Sequence, residues 1–172
     1  MIRFIFLVIY YGVLRYLPAS FMPFGAIAKK LRYLCCKRIF KYCGKNVNIE
    51  RMAFFGSGKN LVIGDNSGLG INCQMASDTI IGENVMMGKN CCILHRNHRY
   101  DRVDIPMCEQ GFYESKRTII GNDIWIGHDV MFTPGHKVGN GAIIGARCLV
   151  TKDVPSFAIV GGVPMKILKY RK

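Results

Sequence analysis

The sequence predicts an all-β solenoid, a prism wound from short parallel strands, and three observations carry that expectation. Large aliphatic or similar side chains recur every six residues at Ile63, Leu69, Met75, Ile81, Met87 and Ile93, and again at Ile120, Ile126, Phe132, Val138, Ile144 and Val150. The residue after them is often glycine, as at Gly64, Gly70, Gly82, Gly88, Gly121, Gly127, Gly139 and Gly145. Four positions after each large residue the side chain is usually small or β-branched: Ser67, Cys73, Thr79, Val85, Cys91, Ile124, Val130, Ala142, Cys148 and Val154.

An α-helix would need apolar residues every three or four positions and would tolerate few of these glycines, while a hairpin meander rarely keeps a strict period of six. A prism with three short strands per turn satisfies the pattern. Each hexad supplies one face, the large residues fill the interior, and the small ones pack under the corners. The glycines are read as corner residues whose backbone angles a Cβ would hinder.

The chain of 172 residues is expected to divide into a helical, apolar and basic segment over 1–44, the coil over 45–156, and a tail over 157–172. In the first segment Phe4 to Leu14 is an unbroken apolar run between Arg3 and Arg15. Eleven residues fall short of the roughly 20 that span a bilayer, and no secretory cleavage site is evident. Lys29, Lys30, Arg32, Lys37, Arg38 and Lys41 follow, with Pro18 and Pro23 as breaks. Two readings stand for residues 1–40: a helical cap on the open end of the coil, or a hairpin in peripheral contact with a membrane. One segment can do both.

The formal charge of +13 favours acidic partners in general: nucleic acid, anionic headgroups or phosphorylated small molecules. The eight cysteines never form a Cys-x-x-Cys pair and have no histidine at zinc-finger spacing, so they are read as reduced thiols of a cytoplasmic protein. The two hexad runs are out of phase, because 93 to 120 is 27 residues. The interruption, residues 94–118, is rich in polar and aromatic side chains, and a long excursion from a rigid scaffold is where chemistry is commonly placed.

Ile119-Ile120-Gly121-Asn122-Asp123-Ile124-Trp125-Ile126-Gly127, then Pro134-Gly135, Ile144-Gly145-Ala146, Val150 to Pro155 and Gly161-Gly162-Val163-Pro164, resemble the hexapeptide-repeat acetyltransferases over roughly residues 45 to 170. That family includes maltose, galactoside and nodulation-factor acetyltransferases and the streptogramin and chloramphenicol group, and lies close to O-acetyltransferases of polysaccharide biosynthesis. The resemblance implies a left-handed parallel β-helix and a homotrimer with acetyl-CoA in the cleft between neighbouring prisms. Asn97-His98-Arg99-Tyr100-Asp101 looks like the catalytic loop of the antibiotic-modifying members and points to His98 as general base, with His95 as the alternative. A histidine suits the task because imidazole titrates near working pH.

The same resemblance places pantetheine contacts at Gly127, His128 and Ala146, continues along Thr151 and Lys152, and puts Lys166 and Lys169 near the nucleotide phosphates. Relatives often carry arginine there, so these lysines keep the charge and lose the bidentate fork. Trp125 looks like the family's tryptophan beside the catalytic imidazole. Asn72 and Asp78 are candidates for the acceptor, although Asn72 also suits a corner conformation by itself. His136 is read as structural.

The expected activity is O-acetyl transfer from acetyl-CoA to a saccharide hydroxyl, such as a precursor of a cell-surface or capsular polysaccharide, at the inner face of a membrane. No metal and no nucleic-acid partner are expected. The alternatives are an antibiotic O-acetyltransferase and, from a different class, a zinc enzyme resembling the γ-class carbonic anhydrases.

Overall fold

A computed structural model describes residues 2–172. The chain is a left-handed parallel β-helix of about six turns with helices at its N-terminal end. Three faces are built from two-residue strands. The first stacks Tyr42–Cys43, Val62–Ile63, Ile80–Ile81, Ile119–Ile120 and Lys137–Val138. The second begins with Asn48–Ile49 and Gly68–Leu69 and continues through Met86–Met87, Trp125–Ile126, Ile143–Ile144 and Ala158–Gly161. The third holds Cys92–Ile93, Met131–Phe132 and Leu149–Val150. The strand Lys166–Tyr170 turns back antiparallel on Ala158–Gly161 and ends the second face.

Stacked corner residues lie 18 apart in sequence, as between Asn66 and Asn84, and 39 apart across the inserted loop, as between Asn90 and Asp129. The loop therefore adds residues without changing the phase of the stack. Ile80 still meets Ile119 and Met86 still meets Trp125 in register. Of the twelve hexad side chains all but Met87 are buried, and all ten small or β-branched positions are buried with them. Alternation of one inward and one outward residue per strand produces this interior.

The corner glycines act differently from the expectation. None of the eight adopts a positive φ; the left-handed angles fall two residues later, at Asn66, Asn72, Asn84, Asn90, Asp123, Asp129 and Arg147. Asparagine and aspartate tolerate that region because their short side chains hydrogen-bond locally, and here they bond to the next turn: Asn66 Nδ2 donates to Asn84 Oδ1 at 3.3 Å and Asn90 Nδ2 to Asp129 Oδ1 at 2.8 Å. Seven of the eight glycines, all but Gly145, are required by stacking. A Cβ on Gly64 would lie 2.6 Å from the Gly82 carbonyl, and one on Gly88 2.7 Å from that of Gly127.

Helix α1 (Ile2–Gly12) and helix α2 (Gly25–Cys36) pack on each other and over the first turns of the coil. Tyr10 is buried, its ring 4.6 Å from that of Phe55 and its hydroxyl donating to the Ala53 carbonyl at 3.0 Å. The segment thus caps the prism. Arg32, read from the sequence as one of a run of surface cations, is fully buried instead. Its Nη1 donates to the carbonyls of Leu17 and Pro18 at 3.2 and 3.0 Å, and its Nη2 lies 3.8 Å from Glu50 Oε2. Glu50 also accepts from the Ser20 amide at 3.0 Å, from the Ser20 hydroxyl, and from Asn48 Nδ2 at 2.9 Å.

Burial works to raise the Glu50 carboxyl, but the Ser20 and Asn48 hydrogen bonds and the Arg32 guanidinium outweigh it and hold the group below its ordinary 4.5. A carboxyl depressed in the folded state contributes stability above its unfolded value and loses it as pH falls through the folded one. Glu50→Gln is therefore expected to melt below wild type at neutral pH, with the gap narrowing once pH drops under 4.5. Melting curves of both proteins over an acid-to-neutral series check this; a gap that stays constant would remove the ionised carboxylate from the cause.

Candidate functional site

Residues 94–118 leave the corner between the third and first faces as a structured ribbon. His98 and Phe112 form an antiparallel bridge, the Arg99 amide donates to the Gly111 carbonyl at 3.0 Å, and the Tyr113 amide to the Asn97 carbonyl at 3.0 Å. Gln110 closes the tip by donating to the Arg102 carbonyl at 2.8 Å. The His98 ring stacks on Phe112 with centroids 4.2 Å apart, and the Arg96 guanidinium lies 3.6 Å over the same phenyl ring. Both outer contacts fix the imidazole on an exposed platform. Asp101 is bound by the Tyr113 hydroxyl and, at 3.0 Å, by Arg99 Nε, which hold its carboxyl below the usual range.

His95 occupies the root of the ribbon. Its Nδ1 lies 3.4 Å from Asp78 Oδ1 and 3.4 Å from Ser115 Oγ, and Ser115 donates to the His95 carbonyl at 3.0 Å. Asp78, a candidate for the acceptor, is thus brought to a histidine, but to His95 and not His98. Asn72 sits in a left-handed corner at φ 55°, and its Nδ2 donates to Asn90 Oδ1 at 3.1 Å.

The second face carries a separate concavity. Trp125, 55% exposed, lines an apolar pocket of about 310 Å³ together with Gly88, Gly127, His128, Gly145 and Ala146. His128 Nδ1 accepts from the Lys89 amide at 3.0 Å, so in the neutral ring the proton resides on Nε2 and is free to donate. Gly127, His128, Ala146 and Trp125 are thereby gathered into one pocket. In register along the same face come Trp125, Ile143, Ile159 and Lys169, three rungs spanning about 14 Å at the usual strand spacing. Lys166 shares the terminal strand, which is exposed along its whole length. Thr151 and Lys152 stand exposed on the corner after the third face. His136 is engaged with Thr133 Oγ1 at 2.6 Å.

No family model matches the chain. The galactoside O-acetyltransferase of Escherichia coli (strain K12) is 32% identical over 135 residues, which are 77% of this chain and 65% of that protein. A chloramphenicol acetyltransferase of Klebsiella aerogenes is 57% identical over 60 residues, 35% of this chain and 29% of that one. A solved galactoside acetyltransferase in complex with coenzyme A superposes with a TM-score of 0.80 at 27% identity, covering 98% of this chain and 80% of that chain. This chain belongs to the hexapeptide-repeat acetyltransferases. It spans less than two thirds of the length of those curated relatives.

Within this hexapeptide-repeat chain, two site features escaped the sequence reading. One is the Asp78–His95–Ser115 cluster, assembled from the third-face corner and both roots of the ribbon. The other is a concavity of about 570 Å³ at the N-terminal end of the second face, lined by Lys29, Asn48, Ser67, Met86, Lys89 and His128 among others. It shares Gly88 and His128 with the Trp125 pocket, so the two form one groove running from α2 to Gly145 and Ala146. Lys29 reaches it only because α2 packs on the coil, a tertiary fact with no periodic signature.

Proposed function

We propose that the chain transfers the acetyl group of acetyl-CoA to a saccharide hydroxyl. The observation that carries this is the groove of the second face: an apolar pocket at Trp125, Gly127, His128 and Ala146 leads in register to a strand bearing Lys166 and Lys169. The pocket suits the pantetheine arm and the lysines suit the nucleotide phosphates, while Thr151 and Lys152, on the corner between the third and first faces, meet the arm from a neighbouring copy. His98 is the base. Its imidazole removes the hydroxyl proton as the oxygen attacks the thioester carbonyl; the carbon–sulfur bond breaks, and the proton passes to the departing thiol of coenzyme A.

His98 and the groove belong to different faces of one prism, so the site is completed by a second copy, with the loop of each subunit of a homotrimer set over its neighbour's second face. Asn72 and Asp78 lie toward the acceptor, and Trp125 borders the reacting atoms. A second assignment of the base has its own support, because His95 possesses the carboxylate partner that His98 lacks. A second acceptor class is favoured by the short, high identity to the chloramphenicol acetyltransferase. The apolar and basic composition of residues 1–40 supports peripheral contact with the cytoplasmic face of a membrane as part of this reading.

The test is release of free coenzyme A thiol from acetyl-CoA with a panel of saccharides, lipid-linked saccharides and chloramphenicol. Turnover with a saccharide is expected. Turnover with chloramphenicol alone moves the acceptor to the antibiotic class, and no turnover with any acceptor rejects the proposal.

A further inference from the structure

Helix α1 is amphipathic with its outer side apolar. Its solvent-facing residues are Ile2, Phe4, Ile5, Val8, Ile9 and Gly12, and no polar side chain is exposed among them. Phe4 is 69% exposed and Val8 56%. The turn to α2 adds Phe21, Met22 and Phe24, the last 79% exposed, and α2 adds an outward stripe of Ile27, Leu31 and Leu34. The inner faces of the same helices are already occupied by the coil, through Tyr10, Cys35 and Cys36. Capping therefore explains the inner side only. An exposed apolar surface this continuous marks a contact.

The charges around it identify the contact. Residues 1–49 contain nine lysines and arginines and no aspartate or glutamate; Glu50 is the first acid of the chain. Apart from Arg32 these cations are not buried; Lys30 is exposed within α2 beside the Ile27, Leu31 and Leu34 stripe, and Lys37, Arg38 and Lys41 are exposed just after it. An apolar helix face edged by unopposed cations matches the acyl boundary and phosphate layer of an anionic bilayer. At 11 residues α1 is about 16 Å long, roughly half of a hydrocarbon core, and no helix among the described residues is long and apolar enough to cross a membrane.

We infer that α1, the 21–24 turn and the outer stripe of α2 form one docking surface that lies in the headgroup–acyl boundary of an anionic phospholipid bilayer. Phe4, Ile5, Val8 and Phe24 enter the acyl region, and Lys30, Lys37 and Arg38 hold the phosphates. This deepens the membrane contact proposed above and is independent of the acetyl transfer, because binding needs no substrate.

The experiment is co-sedimentation of the full chain with vesicles of phosphatidylcholine alone and with about one third phosphatidylglycerol. Partitioning is expected to be at least roughly tenfold stronger on the anionic vesicles and to weaken in high salt. The triple variant Phe4→Ser, Val8→Ser and Phe24→Ser is expected to lose at least roughly tenfold of that binding, with its melting curve and its turnover of a water-soluble acceptor kept. Lys30→Glu with Arg38→Glu is expected to erase the preference for phosphatidylglycerol. Equal binding by wild type and triple variant, or no binding to either vesicle, overturns the inference. So does an assembly larger than a trimer that the serine substitutions dissolve, which would make a second copy the occupant. Loss of turnover with vesicle binding retained would count against the acetyl transfer and leave this inference standing.

Discussion

His98→Ala is expected to lower acetyl transfer by roughly 10²- to 10⁴-fold while leaving the dissociation constant for acetyl-CoA within about twofold. The split follows from the proposed roles: the imidazole on the ribbon of residues 94–118 acts on the acceptor hydroxyl, and the proposed donor groove is lined by second-face residues and not by His98. A base that acts on the acceptor hydroxyl touches turnover and not donor binding. The companion variant His95→Ala removes the ring paired with Asp78, and Asp78→Asn keeps the ring while deleting the charge. If His98 is the base, His95→Ala reduces turnover less, and Asp78→Asn follows it, because that cluster braces the root of the ribbon. The opposite ranking, with His98→Ala near wild type and both His95→Ala and Asp78→Asn disabled, would transfer the role to His95. Stopped or steady-state thiol release with the best acceptor, alongside equilibrium binding of acetyl-CoA, distinguishes the two.

The interior of the prism was readable from one row of letters because a period of six maps directly onto faces. A side chain such as Ile63, Ile81 or Ile120 has to point inward on every turn, and the chain spells this out locally. Met87 alone is only half-buried, where the second face opens into the groove. What depends on contact between distant segments was hidden. Arg32 reads as one more cation until α2 docks and encloses it with Glu50; Asp78 and His95 become partners only when the corner and the ribbon root meet. Trp125, Gly127, His128 and Ala146 were brought together by resemblance, not by spacing, and the structure gathers them in one pocket; hexad position says which way a side chain points and nothing of what it binds. The glycines show a further limit. Their positions were visible, but their reason was not: sequence suggests a torsional demand, while the structure shows contact with the turn above.

That distinction has a measurable consequence at Gly70. Its φ is not positive, so alanine meets no torsional penalty there; yet its Cβ would lie 1.9 Å from the Gly88 carbonyl oxygen and 2.6 Å from that carbonyl carbon. Both obstructing atoms are backbone of the next rung, and no side chain can rotate aside. The turns must separate, which breaks the hydrogen-bonded stack on both sides and distorts the groove at Met87 and Gly88. Gly70→Ala is expected to cost about 3 kcal/mol or more, a loss of roughly 6–12 °C in melting temperature for a domain of this size. Gly161→Ala provides the contrast, because the only neighbour its Cβ would meet is the Leu168 Cδ1 at 3.3 Å, a movable end of an exposed side chain. That variant is expected to stay within about 1 kcal/mol of wild type. Gly70→Asn separates the two explanations. Asparagine accepts left-handed torsions, so a torsional cause predicts that it recovers much of what alanine loses. Stacking predicts that it does no better, because any Cβ meets the same carbonyl. Thermal melts of the three variants decide: equal losses at Gly70 and Gly161, or rescue by asparagine, would refute stacking as the reason these corners are glycine.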